Sequence, residues 1–166
     1  MKTKREKTLL LVFLGLTVAL GSLLSYTMYL YIGVAGLFAD LGENLTVEKI
    51  EMYTRDSSKQ MSVTITVFNS FAGSYLKVYI AIKELRIGEK AIALYSGAVQ
   101  FDGTFTYLNV PSLSNGTAKL SFDVSSFSIS PQDLQNLRVR IRLLATTVVN
   151  EGAPLSMDFV KIYAEQ

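Results

Sequence analysis

The sequence predicts a mainly β protein: one long apolar N-terminal α-helix, then an antiparallel, immunoglobulin-like β-sandwich of about eight strands. Three observations carry this. Residues 8–39 form 32 consecutive positions without a charged side chain. From residue 45 onward, apolar and polar residues alternate with a period of two instead of recurring at 3.6. The stretches between are short, built from Gly, Ser, Asn and Pro, and no second long helical pattern follows.

Residues 1–7, "MKTKREK", form a basic tail: Lys2, Lys4, Arg5 and Lys7 stand against Glu6. The rest of the chain holds 12 basic and 13 acidic residues, so the overall charge of +2 belongs to the tail. Residues 8–40 are expected to form a membrane-anchor or filament-core helix. As a helix the uncharged run is about 48 Å long at ~1.5 Å per residue, whereas a bilayer core needs about 20 residues. Cations before the run, and none again until Lys49, put the N-terminus in the cytoplasm by the positive-inside rule and the remaining chain outside. Tyr26, Tyr29 and Tyr31 fall where an outer interfacial aromatic belt would lie.

Residues 22–38, "SLLSYTMYLYIGVAGLF", are then surplus, and three readings account for them. A tilted helix absorbs the excess. A signal peptide is cut near Ala19-Leu20-Gly21, which leaves an apolar mature start that needs a neighbour. An intact helix packs its upper half against other copies, helped by small side chains at Gly15/Ala19 and Gly21/Ser25, each pair four apart.

"LGEN" at 41–44 breaks the helix, and residues 41–166 form the expected extracytoplasmic sandwich. "TVEKIEMYT" opens it. In "MSVTITVFN", Met61, Val63, Ile65 and Val67 share one face; in "YLKVYIAIKEL", Leu76, Val78, Ile80 and Ile82 do. "KAIALYS" and "AVQF" follow, and Asp102-Gly103 reads as a tight hairpin before "TFTYLNV". "TAKLSFDV" aligns Leu120, Phe122 and Val124. "NLRVRIRLL" alternates Leu137, Val139, Ile141 and Leu143 with Arg138, Arg140 and Arg142, and "PLSMDFVKIYA" closes the chain.

Composition narrows the chemistry. There is no Cys, His or Trp, which excludes zinc fingers, Cys–His nucleophiles and Ser-His-Asp triads. The acids are scattered singly, without a calcium loop or a phosphate-binding glycine loop, so no catalytic residue, metal or cofactor is expected. A near-neutral domain does not suit nucleic acid. The arginine stripe at 138, 140 and 142 would either dock an acidic partner or pair with acids on neighbouring strands. Sequons at Asn44-Leu45-Thr46 and Asn115-Gly116-Thr117 would meet a glycosylation machinery outside the cell. "SVTITVFNSF" would invite another chain at a sheet edge and is simply core in a sheet centre.

A basic start, the run "TLLLVFLGLTVALGSLLSYTMYLYIGVAGLF" and a cysteine-free β domain together resemble the subunits of archaeal surface filaments, pilins and the pilin-like proteins of the archaellum. That resemblance implies polymerisation through exposed apolar helices. The processing site of that family is not evident, because no small residue stands between Lys7 and the apolar run. "MSVTITVFNS" and "VPSLSNGTAKLSFDV" are similar to the LEA14-like water-stress sandwich, with Ser70 where that family has proline. This second resemblance implies a binding or protective role. The expected function is a non-enzymatic cell-surface structural protein that self-assembles through its helix. The alternative is a single-pass accessory subunit of a membrane complex. Expected partners are membrane lipid, further copies of the chain and other cell-surface proteins.

Overall fold

The computed structural model describes residues 4–93, 95–96, 99–100, 105–134 and 137–163. One helix, α1 (Lys4–Asp40), is followed by β strands throughout. The helix includes Lys4, Arg5, Glu6 and Lys7 of the basic tail, since Lys, Arg and Glu are good helix formers. It stops where expected: the amides of Glu43 and Asn44 turn back on the Asp40 carbonyl at 2.9 and 3.0 Å, and Gly42 follows the last turn.

Two antiparallel sheets share one core. The first runs β1 (Leu45–Arg55), β2 (Ser58–Phe68), β8 (Asn115–Asp123). The second has the order β10 (Leu155–Tyr163), β9 (Leu137–Thr146), β3 (Leu76–Ile87). On the other edge of β3, β7 (Phe105–Val110) pairs with its first half and β4 (Lys90–Ala93) with its last residues. A short ribbon, β5 (Tyr95–Ser96) with β6 (Val99–Gln100), lies between them in sequence, and a 3₁₀ turn (Pro131–Leu134) precedes β9. The turn expected at Asp102-Gly103 lies outside the described residues.

The expected faces are the buried ones. Met61, Val63, Ile65 and Val67 of β2, Leu76 to Ile82 at alternate positions of β3, Leu120 and Phe122 of β8 and Leu137 to Leu143 at alternate positions of β9 are all enclosed. Val124, just past β8, is enclosed with them. Two irregularities keep that alternation in phase over long strands. A bulge at Glu48 returns Ile50 and Met52 to the inner face of β1, and one at Lys83 returns Leu85 to that of β3. β2 is the central strand of its sheet, so "SVTITVF" is core and presents no free edge. β1 and β2 are joined through Asp56 and Ser57, both at positive φ (50° and 68°), the backbone handedness that two-residue hairpins need.

One end of the domain is organised by Asn69, which is fully buried. Its amide donates to the carbonyls of Ser74, Val110 and Pro111, and its Oδ1 accepts from the Phe71 amide. The Asn69 amide N–H meets the Ser114 carbonyl at 2.9 Å. Ser74 Oγ accepts from the Val148 amide, and Tyr75 Oη donates to Glu151. Loops 69–75, 111–114 and 147–154 are thereby tied into one surface. The helix leaves the domain by this surface.

Candidate functional site: the apolar helix and its seat

The last turns of α1, with Leu41 just past its end, contribute to the β-domain core. Val34, Leu37 and Leu41, spaced 3 and 4 apart, are buried with Leu45 and Val67, and Leu30 and Phe38 flank them. Each such side chain, fully buried, is worth about 1.5–3 kcal/mol against exposure to water. Phe71 completes the seat. Its ring stacks against Tyr29 at 5.4 Å between centroids and lies between Gly33 and Gly73, where a Cβ at either glycine would overlap the ring. Lys161 donates to the Gly42 carbonyl, and Phe159 packs on Gly42. Strand β10 thus holds the helix exit from the other side.

Below Tyr29 the picture reverses. The aliphatic and Phe side chains from Leu9 to Leu24 stand more than half exposed, and no described part of the chain covers them. The hydroxyls in this stretch ask nothing of water. Thr17, Ser22, Ser25 and Thr27 each donate to the carbonyl four residues back, at 2.9 Å. The helix is long and apolar enough to cross a membrane. Gly15 and Gly21 have open space where a Cβ would stand, and Ala19 and Ser25 are exposed beside them. Tyr26 and Tyr31 point outward, whereas Tyr29 is tied to Phe71.

The arginine stripe lies on the outer face of the larger sheet. Arg142 makes a two-pronged contact with Asp158, at 2.7 and 3.0 Å, and this hydrogen bond holds the Asp158 carboxyl below the usual carboxylate range. Arg140 and Arg86 share Glu84 at 3.5 and 3.4 Å. Arg138 has no ion-pair partner among the described residues; its neighbours in register are Arg86 and Ile162. The two sequons differ. The Asn44 amide nitrogen is buried without a hydrogen-bond partner, while Asn115 is exposed at the start of β8.

Sequence reasoning missed two features. The first is the helix seat, invisible because a stripe cannot stand out within an all-apolar run. The second is a cluster of Tyr79, Phe105 and Tyr107 on the outer face of the larger sheet. The Tyr79 ring lies 5.6 Å from Phe105 and 4.9 Å from Tyr107. Among the described residues no group of three or more Asp and Glu side chains could hold a metal. The shifted carboxyls there are surface groups with hydrogen-bonding neighbours: Glu151 is lowered by Lys77 and then Tyr75, and Asp123 by Ser125.

No family model and no curated protein matches the sequence. Among solved structures, the chain is similar to a crystal structure of a protein from Archaeoglobus fulgidus, at 11% identity and a TM-score of 0.34, over 73% of this chain and 98% of that one. A likeness of that size carries no argument about function.

Proposed function

We propose that this chain is a non-enzymatic, single-pass membrane protein whose helix anchors an immunoglobulin-like sandwich on the outer side of the cell membrane. The carrying observation is the division of the helix. Once residues 30–41 are seated on the protein's own β domain, the apolar stretch left over is residues 8–29, about 33 Å at ~1.5 Å per residue. That is close to the roughly 30 Å hydrocarbon core. One face of the surplus that suggested a filament is consumed within the chain. Lys4, Arg5 and Lys7 then hold the short end inside, and Tyr26 and Tyr31 occupy the outer interface.

A second reading, self-assembly through the helix, is favoured by the uncovered small-residue positions at Gly15, Ala19, Gly21 and Ser25. Within lipid such association relies on close packing, not on the hydrophobic effect. Gly21→Leu should then shrink the oligomer in detergent.

The absence of native cysteine makes the topology test direct. Ser57→Cys, in the β1–β2 turn at the opposite end of those strands from loop 69–75, should react with an impermeant maleimide on intact cells, and Thr3→Cys only after permeabilisation. The protein should also resist extraction at alkaline pH. Labelling of position 57 only in lysed cells, or release into the alkaline supernatant, would contradict the reading.

A further inference from the structure

We infer that the end of the β domain from which the helix emerges is itself a lipid-contacting surface, with Leu113 and Val148 inserted into the bilayer interface. This rests on the anchored reading above. Three observations point to it. The first is position: loops 69–75, 111–114 and 147–154 are cross-tied by Asn69, Ser74 and Tyr75, and the same loop that carries Phe71 grips the helix at Tyr29 and Gly33. Whatever the helix enters, these loops face.

The second is charge. The segments "NSFAGSY" (69–75), "PSLS" (111–114) and "TVVN" (147–150) contain no charged residue. The turns at the opposite end hold Arg55, Asp56 and Glu89. Just beyond the uncharged tips, Lys77 and Glu151 neutralise each other at 3.1 Å. A neutral surface of this kind suits zwitterionic headgroups and has no need of anionic lipid.

The third is a pair of exposed apolar side chains, one of them on a left-handed backbone position. Leu113 has φ of +50°, a conformation that costs a branched side chain free energy and that Gly or Asn adopts readily. Its side chain nevertheless stands 60% exposed, and Val148 stands 49% exposed on the neighbouring loop. The ties from Asn69 to the Pro111 and Ser114 carbonyls hold the loop in this shape, but among the described residues none covers the Leu113 side chain. A bilayer interface does, by taking both side chains out of water.

The test uses the full chain in phosphatidylcholine vesicles, with one environment-sensitive dye on a single introduced cysteine. Dyes at Leu113→Cys and Val148→Cys should emit to the blue of their values in detergent-free buffer-exposed controls such as Ser57→Cys. They should also lose most of their intensity to a spin-labelled lipid, while the dye at Ser57→Cys keeps its intensity. A dye at Leu16→Cys reports the anchor separately. Quenching at 16 with none at 113 and 148 would overturn the loop contact and leave the anchor standing. No quenching at 16 would overturn the anchor, and the loop contact with it. Leu113→Asn, which suits the backbone, should raise the thermal midpoint in detergent while weakening the quenching at 148. A raised midpoint with unchanged quenching would remove Leu113 from the contact.

Discussion

Residues 8–29 and 30–40 of α1 are alike in composition and opposite in circumstance. Both are rich in Leu, Val and aromatic side chains, and both belong to one unbroken helix. Below Tyr29, which touches Phe71, the lower stretch is uncovered, with its Ser and Thr hydroxyls folded back on the helix backbone. The upper stretch loses one face to the β domain: Leu37 is 1% exposed, against 63% for Leu23 two heptads below. Hydrophobicity alone therefore does not tell what an apolar helix is for. A neighbouring surface must be present to receive it, and here that surface is made by Phe71, Gly73 and the Phe159 and Lys161 side chains of β10.

The contrast can be broken most severely at the buried stripe. Leu37→Ala should lower the stability of the β domain by about 2–5 kcal/mol, because the cavity opens within the core. Leu23→Ala should leave the domain's thermal midpoint in detergent unchanged. Similar losses for both would mean that the two stretches are not distinct. Asn69→Ala comes next: three carbonyls and one amide would lose their partner, at about 1–3 kcal/mol for each group left buried and unsatisfied. Its thermal denaturation in detergent should show the loss, and trypsin should cut more readily within 69–75.

The glycines sharpen the same comparison. Gly33→Leu forces the Phe71 ring aside, and overpacking of this kind costs about 1–3 kcal/mol. Gly15→Leu meets open space and should leave the β domain's melting temperature where it was. The smallest effect is electrostatic. Glu151 has a lowered pKa in the folded state, through Lys77 and then Tyr75, so its contribution is present above the ordinary carboxylate range. It is lost as pH falls through the folded value. Glu151→Gln should flatten the acid limb of a plot of melting temperature against pH, and an unchanged limb would remove this tie between loops 69–75 and 147–154.

Much of this architecture was legible from periodicity. The faces of β2, β3, β8 and β9 follow from alternation, because each strand has one side against the core and one against water. The end of α1 was legible from Gly42 and the acids around it. The bulges at Glu48 and Lys83 were not, since a one-residue slip leaves no mark when the residues on both sides are of mixed polarity. The helix seat was hidden for a different reason. The pattern Leu30, Val34, Leu37, Leu41 is amphipathic only against a polar background, and "YIGVAGLFA" provides none. Gly33 and Gly73 were the available signal: glycines where a bulky ring must approach a backbone closely. Of the stripe at 138, 140 and 142, the alternation showed the face. The pairing of Arg142 with Asp158 depends on the register of β9 with β10, which no local spacing contains.

The central claim is that residues 30–41 form a rigid seat on the β domain of the same chain. Spin labels at Gly36→Cys, which has open space around it, and Ser57→Cys would measure this in bilayer-reconstituted protein. The expected result is one narrow distance distribution, unchanged when labelled protein is diluted with unlabelled. A broad distribution, or a component that disappears on dilution, would mean that the upper helix is free or is held by another copy.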